Sequence, residues 1–178
     1  MSRKIAAIVE YPSGLTGNRL GATGVTLRVL PDSNIYDKFI DLPCIRNRIL
    51  ELIQRDRIEL LQPHIIRSQL AATPDISRRE ALLSIPAKTV PVDGMLAGYS
   101  CAGDRVGDGS GGLKTDVMLK DKKPTPGHTR DALIATTAAT EADVLVTEDR
   151  QLGNKIKSMK PTIQVWNFAD FESHLANL

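Results

Sequence analysis

The chain has 178 residues, of which 42% are hydrophobic, 25% are charged and 4% are aromatic, and its formal net charge is +2. Such a composition is ordinary for one soluble globular domain, and it excludes rows of aromatic rings that would stack on single-stranded nucleic acid. The apolar run near the start is short and is broken by Glu10, so neither a signal peptide nor a membrane span is predicted. We therefore expect a cytoplasmic protein with no membrane partner.

The N-terminal segment, residues 1–26, is predicted to be an extension with a short strand in KIAAIVEY and a glycine-rich loop in PSGLTGNRLGATG. The loop lacks the GK[ST] ending and the GxGxxG spacing of phosphate-binding loops, which favours a plain loop over a phosphate cradle. The two cysteines, Cys44 and Cys101, form no CxxC pattern, so the spacing indicates neither a disulfide framework nor a zinc site.

The next part of the chain alternates between strand and helix patterns. VTLRVL is predicted to be a strand that runs into a turn at PDSN, and IELLQP is a second short apolar strand. Helical spacing is found in CIRNRILELIQRDR, in HIIRSQLAAT with Pro63 in its first turn, and in ISRREALLSIP. KTVPV is a possible third strand.

A glycine-rich insertion or loop is predicted around residues 98–127. Connections of this length in compact domains are usually lids, binding loops or disordered segments. GDRVGDGSGG resembles a calcium loop, but Val106 stands where a ligand belongs and Thr115 stands where the bidentate glutamate belongs. An EF-hand is therefore excluded.

The pattern is clearest after residue 128. DALIATTAATEA is predicted to be a helix with Thr129 as its N-cap, and it is followed by the strand DVLVTED, the basic helix RQLGNKIKSMK, the strand TIQVW and the terminal helix NFADFESHLANL. Strands that alternate with helices favour an α/β fold in which a mainly parallel sheet is covered on both faces.

Two aspartates lie at the carboxyl ends of predicted strands. Asp32 follows VTLRVL, and Asp149 follows DVLVT with one residue between. Ligands of parallel sheets bind outside the carboxyl ends of the strands, which makes these two acids candidate ligands. Asp131 opens the helix before the second of these strands, and chain order alone places it at the opposite edge. Each acid also has an ordinary explanation as a turn residue or a helix-end carboxylate.

These segments resemble a known family. DALIA followed by LVTED and a leucine is similar to the C-terminal signature of PIN-domain ribonucleases, and RVLPDSN resembles the first strand of that family. The resemblance covers roughly residues 27–72 and 128–175. It implies a three-layer PIN-like α/β fold over residues 27–178, and a divalent-metal-dependent endoribonuclease of the kind that includes the toxins of toxin–antitoxin pairs.

The resemblance also implies a metal site for Mg²⁺ or Mn²⁺. Asp32, Asp131 and Asp149 would be the catalytic metal ligands, and the supporting residues would be Asn34, Gln69, Thr147 and Glu148. Gln69 stands where the family has a glutamate. A glutamine oxygen can bind a hard cation, but it carries no charge and cannot act as a base.

That departure leaves alternatives open. Asp104 or Asp108 could replace the missing carboxylate, or the chain could be a non-cleaving module that binds RNA or protein. A third alternative is a phosphoesterase that acts on small molecules. For the nuclease, the basic residues Lys123, Arg130 and Arg150 are predicted to bind the RNA backbone. Besides RNA, the resemblance implies an antitoxin or other regulatory protein and a second copy of the chain as partners.

Overall fold

Strands and helices alternate in the computed structural model, which describes residues 26–93, 101–104, 126–159 and 162–178. In chain order the elements are β1 (Leu27–Pro31), α1 (Ser33–Asp41), α2 (Pro43–Gln54), β2 (Ile58–Pro63), α3 (His64–Ala71), α4 (Ile76–Leu83), β3 (Lys88–Val90), α5 (Pro126–Glu141), β4 (Val144–Val146), α6 (Arg150–Met159), β5 (Gln164–Trp166) and α7 (Phe168–Asn177).

The five strands form one parallel sheet in the order β3-β2-β1-β4-β5. From β1 in the centre, the chain moves outward through β2 and β3, and then returns to the other side of β1 to form β4 and β5. The direction of winding therefore changes between β1 and β4. In open parallel sheets, this change opens a crevice at the carboxyl ends of the two strands.

The strands are short and apolar because both faces of the sheet are covered. Val29 and Leu30 of β1 are fully buried, and so are all three residues of β4. Continuous apolar runs of this kind are typical of parallel strands packed between helices. The predicted α/β class with a parallel sheet flanked by helices is confirmed, and the arrangement is consistent with a three-layer fold.

The segment PDSN does not form the predicted turn. Asp32 is the N-cap of α1, which begins at Ser33, and its carboxylate accepts a hydrogen bond from the Ser33 amide. The helix forms because its apolar side chains bury one face in the core, where Phe39 packs against Phe168 and Phe171 of α7 with ring centroids 6.4 and 6.0 Å apart.

Two other predicted helix starts also differ from the structure. Pro63 ends β2 and precedes α3 rather than lying in its first turn. Helix α5 begins at Pro126, so Thr129 is a buried residue inside the helix and not its N-cap. Proline is common at the first position of a helix, since its missing N–H is not needed there, and this explains the earlier start.

The direction of α5 corrects the predicted position of Asp131. Glu141 at the C-terminal end of α5 pairs with Arg28 near the start of β1, at 2.9 Å, and β4 begins three residues later. The end of α5 therefore lies at the amino edge of the sheet, and its N-terminal end points to the carboxyl edge. The helix rises about 15 Å between Asp131 and Glu141, so Asp131 is on the side of the sheet where β1 and β4 end.

Several sequence predictions fall outside the described residues. They concern the N-terminal extension up to residue 25 and most of the glycine-rich loop, including Asp108 and Lys123. Among the residues that are described, no helix combines the length and the hydrophobicity needed to cross a membrane.

Candidate functional site

Asp32 and Thr147 lie side by side at the carboxyl edge of the sheet. The β1–β4 register pairs Pro31 with Val146, and the next backbone hydrogen bond, from Asp32 N to Val146 O, continues that ladder at 2.9 Å. The next residue of each strand is therefore Asp32 on one side and Thr147 on the other. Their side chains meet, with Thr147 Oγ1 donating to Asp32 Oδ2 at 3.1 Å.

Asp149 is joined to the same hydroxyl. Its backbone amide donates to Thr147 Oγ1 at 3.1 Å, while its own Oδ1 accepts from the amides of Gln151 (2.8 Å) and Leu152 (3.0 Å) at the start of α6. The Thr147 hydroxyl therefore links both aspartates, and the first turn of α6 fixes the Asp149 side chain.

The electrostatics of Asp32 are unfavourable for a bare carboxylate. The residue is only 9% exposed, and its burial raises the pKa of the carboxyl group above the ordinary value. Hydrogen bonds from Ser33 and Thr147 oppose that shift, whereas the negative charge of Asp149 adds to it. Two carboxylates thus lie close enough for their charges to interact, and a cation between them would remove the repulsion.

Helix capping explains only part of this arrangement. The two amides that bond to Asp149 Oδ1 are those that an ordinary N-cap satisfies. Asp75, the N-cap of α4, does the same for the amide of Arg78 while remaining exposed to solvent. Capping does not require that Asp32 be buried, nor that it interact with a second aspartate.

The residues at this edge fit Mg²⁺ or Mn²⁺. These cations prefer oxygen ligands, and Mg²⁺ typically takes one or two carboxylates and completes its shell with water and substrate phosphate. Asp32 and Asp149 supply two carboxylates whose charges repel each other. They are the residues that would hold the cation, and Thr147 bonds both the Asp32 carboxylate and the Asp149 backbone.

Asp131 lies in the second turn of α5 and is partly buried. The structure brings Asp32, Thr147 and Asp149 together through named contacts, and it places Asp131 on the same side of the sheet through the direction of its helix.

Two of the predicted supporting residues have other surroundings. The Glu148 carboxylate forms an ion pair with Lys38 of α1 at 3.0 Å and accepts from the amide of Phe168 at 3.4 Å. The hydrogen bond from Lys38 lowers the pKa of Glu148, so its charge is already compensated. Asn34 is exposed in the first turn of α1.

The side-chain oxygen of Gln69, Oε1, is a buried hydrogen-bond acceptor. The side chain is partly buried in α3, and Oε1 is shielded from water without a hydrogen-bond donor among the described residues. A buried polar atom without a partner costs about 1–3 kcal/mol. A water or cation that reaches Oε1 would remove this cost, which is compatible with the predicted supporting role.

The basic residues predicted to bind RNA lie on two helices. Arg130 is exposed in the N-terminal part of α5, and Arg150 is the exposed first residue of α6, directly after Asp149. Both positions are at the ends of helices that start on the carboxyl side of the sheet.

Asp104, predicted as an alternative metal ligand, belongs to a second group of side chains. Its carboxylate lies 3.4 Å from Nδ1 of His64 at the start of α3, and the exposed Cys101 lies beside both residues. Spacing along the chain gave no sign of this cluster, because His64 is far in sequence from the turn that contains Cys101 and Asp104, and only the fold brings them together.

Comparison of the chain with protein-family models, with curated proteins and with solved structures found no match.

Proposed function

We propose that this protein is a divalent-metal-dependent endoribonuclease with a PIN-like fold. The observation that carries the proposal is the pair Asp32 and Asp149, joined through the Thr147 hydroxyl where the winding of the sheet changes direction. The proposal is supported by the resemblance of RVLPDSN and of DALIA…LVTED to that family, because these segments contain the residues of the pair.

The carboxylates of Asp32 and Asp149 would hold Mg²⁺ or Mn²⁺, with Asp131 as a third ligand from α5. Bound there, the cation supplies a water of lowered pKa and positive charge against the scissile phosphate. The chain's own contribution is positional: Thr147 fixes Asp32 relative to Asp149, and the sheet edge excludes water from Asp32. Gln69 would add a neutral oxygen ligand in place of the glutamate of the family.

RNA is the proposed substrate, with the exposed Arg130 and Arg150, at the carboxyl side of the sheet, binding backbone phosphates. Lys123 is proposed to join them. The nuclease is proposed to act in the cytoplasm. By the same resemblance, it would be regulated by an antitoxin or similar protein and would pair with a second copy of itself.

A second candidate function is a non-cleaving module that binds RNA or protein. It is favoured by one observation, namely that position 69 carries an uncharged side chain. With fewer negative charges the site would hold a cation more weakly, and RNA binding through the arginines would remain without cleavage.

Cleavage of end-labelled single-stranded RNA in Mg²⁺ or Mn²⁺, compared with EDTA, tests the proposal. We expect metal-dependent cutting that Asp149→Asn abolishes and that Asp75→Asn retains. Both substitutions replace a helix N-cap by asparagine, which caps equally well, so the comparison isolates the charge at the site. RNA binding without cutting by the wild-type chain would favour the second candidate, and turnover of mononucleotides alone would indicate a phosphoesterase.

A further inference from the structure

A second cluster of potential metal ligands lies one strand away from Asp32. His64, Cys101 and Asp104 each offer one ligand atom, and these atoms lie within 4.8 Å of one another. His64 directly follows β2, whose neighbour in the sheet is β1, so this cluster is at the carboxyl edge as well. It shares no residue with the Asp32–Asp149 pair.

The cluster is held in shape by backbone hydrogen bonds. Residues 101–104 form a turn in which the Asp104 amide donates to the Cys101 carbonyl at 3.1 Å, and Gly103 adopts the φ of +101° that glycine readily accepts. Asp104 Oδ2 accepts from the Cys101 amide at 2.6 Å, so the turn fixes two of the three potential ligands relative to each other.

Contacts outside the turn hold the Asp104 carboxylate next to His64, the third potential ligand. Asp104 Oδ1 accepts from the amide of Val92, after β3, at 3.1 Å, and lies 3.4 Å from His64 Nδ1. The Asp104 side chain is only 4% exposed, whereas 25% of the His64 side chain is exposed and Cys101 is exposed to solvent. The carboxylate is therefore anchored inside the fold, and the sulfur and the imidazole are accessible to an ion from solvent.

We propose that His64, Cys101 and Asp104 form a binding site for a divalent transition metal of the zinc class. The mixture of sulfur, nitrogen and oxygen donors selects Zn²⁺ or Co²⁺ over Mg²⁺, which takes oxygen ligands. Three protein ligands leave a fourth position for water or another ligand. The backbone bonds to Asp104 would orient the carboxylate as outer-shell contacts do in known metal sites. The metal ties the turn at residues 101–104 to the start of α3.

Metal protection of the cysteines tests this site in the unmodified chain. The metal-stripped, full-length protein is treated with iodoacetamide, with and without Zn²⁺, and the alkylation of each cysteine is followed by peptide mass spectrometry. Cys44 and Cys101 are both exposed, so Cys44 is an internal control. We expect Zn²⁺ to slow the reaction of Cys101 at least about tenfold and to leave Cys44 unchanged, with no effect of Mg²⁺. Equal protection of both cysteines, or of neither, would overturn the proposal.

Titration with Co²⁺ gives a second measurement. A thiolate ligand produces a sulfur-to-cobalt charge-transfer band, which we expect at one Co²⁺ per chain and which Zn²⁺ should displace. The band should vanish in Cys101→Ser and in His64→Gln, and persist in Cys44→Ser and in Asp149→Asn. A band that survives Cys101→Ser, or that is lost in Cys44→Ser, would contradict the site. Because Asp149→Asn removes the proposed nuclease charge only, the two sites succeed or fail independently.

Discussion

Asp32 and Asp149 are connected through a single hydroxyl group, which donates to the Asp32 carboxylate and accepts from the Asp149 amide, with both distances at 3.1 Å. That hydroxyl belongs to Thr147, which is itself buried. One buried side chain therefore bonds both the Asp32 carboxylate and the Asp149 backbone, while the first turn of α6 fixes the Asp149 side chain. Thr147 lies next to Asp32 because of the β1–β4 register, and it precedes Asp149 by two positions in the chain.

Removing the Thr147 hydroxyl should weaken both the fold and the cation site. Thr147→Val keeps the shape of the side chain but leaves the buried Asp32 Oδ2 without its donor, at a cost of about 1–3 kcal/mol in the free energy of unfolding. We also expect weaker Mn²⁺ binding. Urea denaturation and calorimetric Mn²⁺ titration measure the two effects. Thr147→Ser is the control, because it keeps the hydroxyl and should keep the metal affinity. Unchanged Mn²⁺ affinity in Thr147→Val, or a loss confined to Thr147→Ser, would contradict the role of the hydroxyl.

The raised pKa of Asp32 predicts a specific pH dependence. The folded chain favours the protonated carboxyl, so the contribution of this group to stability is complete below its unfolded pKa and is lost as the pH rises through its folded pKa. In metal-free protein, the stability of wild type relative to Asp32→Asn should therefore increase on acidification from neutral pH. Urea denaturation over a pH series, with the exposed cap variant Asp75→Asn for comparison, measures this. A difference that is constant with pH would contradict the burial of the Asp32 charge.

A carboxylate at position 69 should strengthen the cation site. Gln69→Glu places a charge where the buried Oε1 now lacks a donor, so the metal-free variant should be less stable than wild type. Mn²⁺ should bind about tenfold more tightly, which corresponds to ~1.4 kcal/mol. Gln54→Glu, an exposed position at the end of α2, adds the same charge elsewhere and should change neither quantity. Unchanged Mn²⁺ affinity in Gln69→Glu would place this residue outside the site.

RNA affinity should depend on Arg130 and Arg150. Each arginine that contacts a phosphate contributes about 0.7 to the slope of log affinity against log salt for a single strand. Arg130→Ala and Arg150→Ala should therefore each weaken binding and reduce the slope, as measured by fluorescence anisotropy on the Asp149→Asn background in EDTA. Arg55→Ala is the control, because this exposed arginine precedes β2 at the amino edge of the sheet. A loss as large in Arg55→Ala would mean that binding is not confined to the carboxyl edge.

The sequence was sufficient to predict the parallel sheet but not every helix start. Apolar runs such as VLV in β4 define buried strands because a chain buried on both faces has no polar side. Asp, Ser and Asn, in contrast, favour turns and helix N-caps alike, so PDSN was equally compatible with a turn. Burial of Ile35, Tyr36 and Phe39 decides between them in favour of α1, and this burial depends on helices far along the chain.

The candidate site was predictable where its residues lie at or just beyond the ends of strands. Asp32 and Asp149 were found this way, whereas the position of Asp131 required the direction of α5, which runs antiparallel to β4 and whose last residue pairs with Arg28 of β1. The role of Thr147 as a link depends on the β1–β4 register, and the register has no local signature in the sequence.

Binding of Mn²⁺ to the acidic pair is the most direct measurement of the central claim. Metal-stripped protein is titrated calorimetrically on a Cys101→Ser background, so that the second cluster does not contribute. We expect one class of Mn²⁺ site that Asp32→Asn and Asp149→Asn each weaken at least about tenfold, while Asp75→Asn binds as the background does. If Asp32→Asn and Asp149→Asn bind Mn²⁺ as tightly as the background, the two carboxylates do not share a cation and serve only as helix caps.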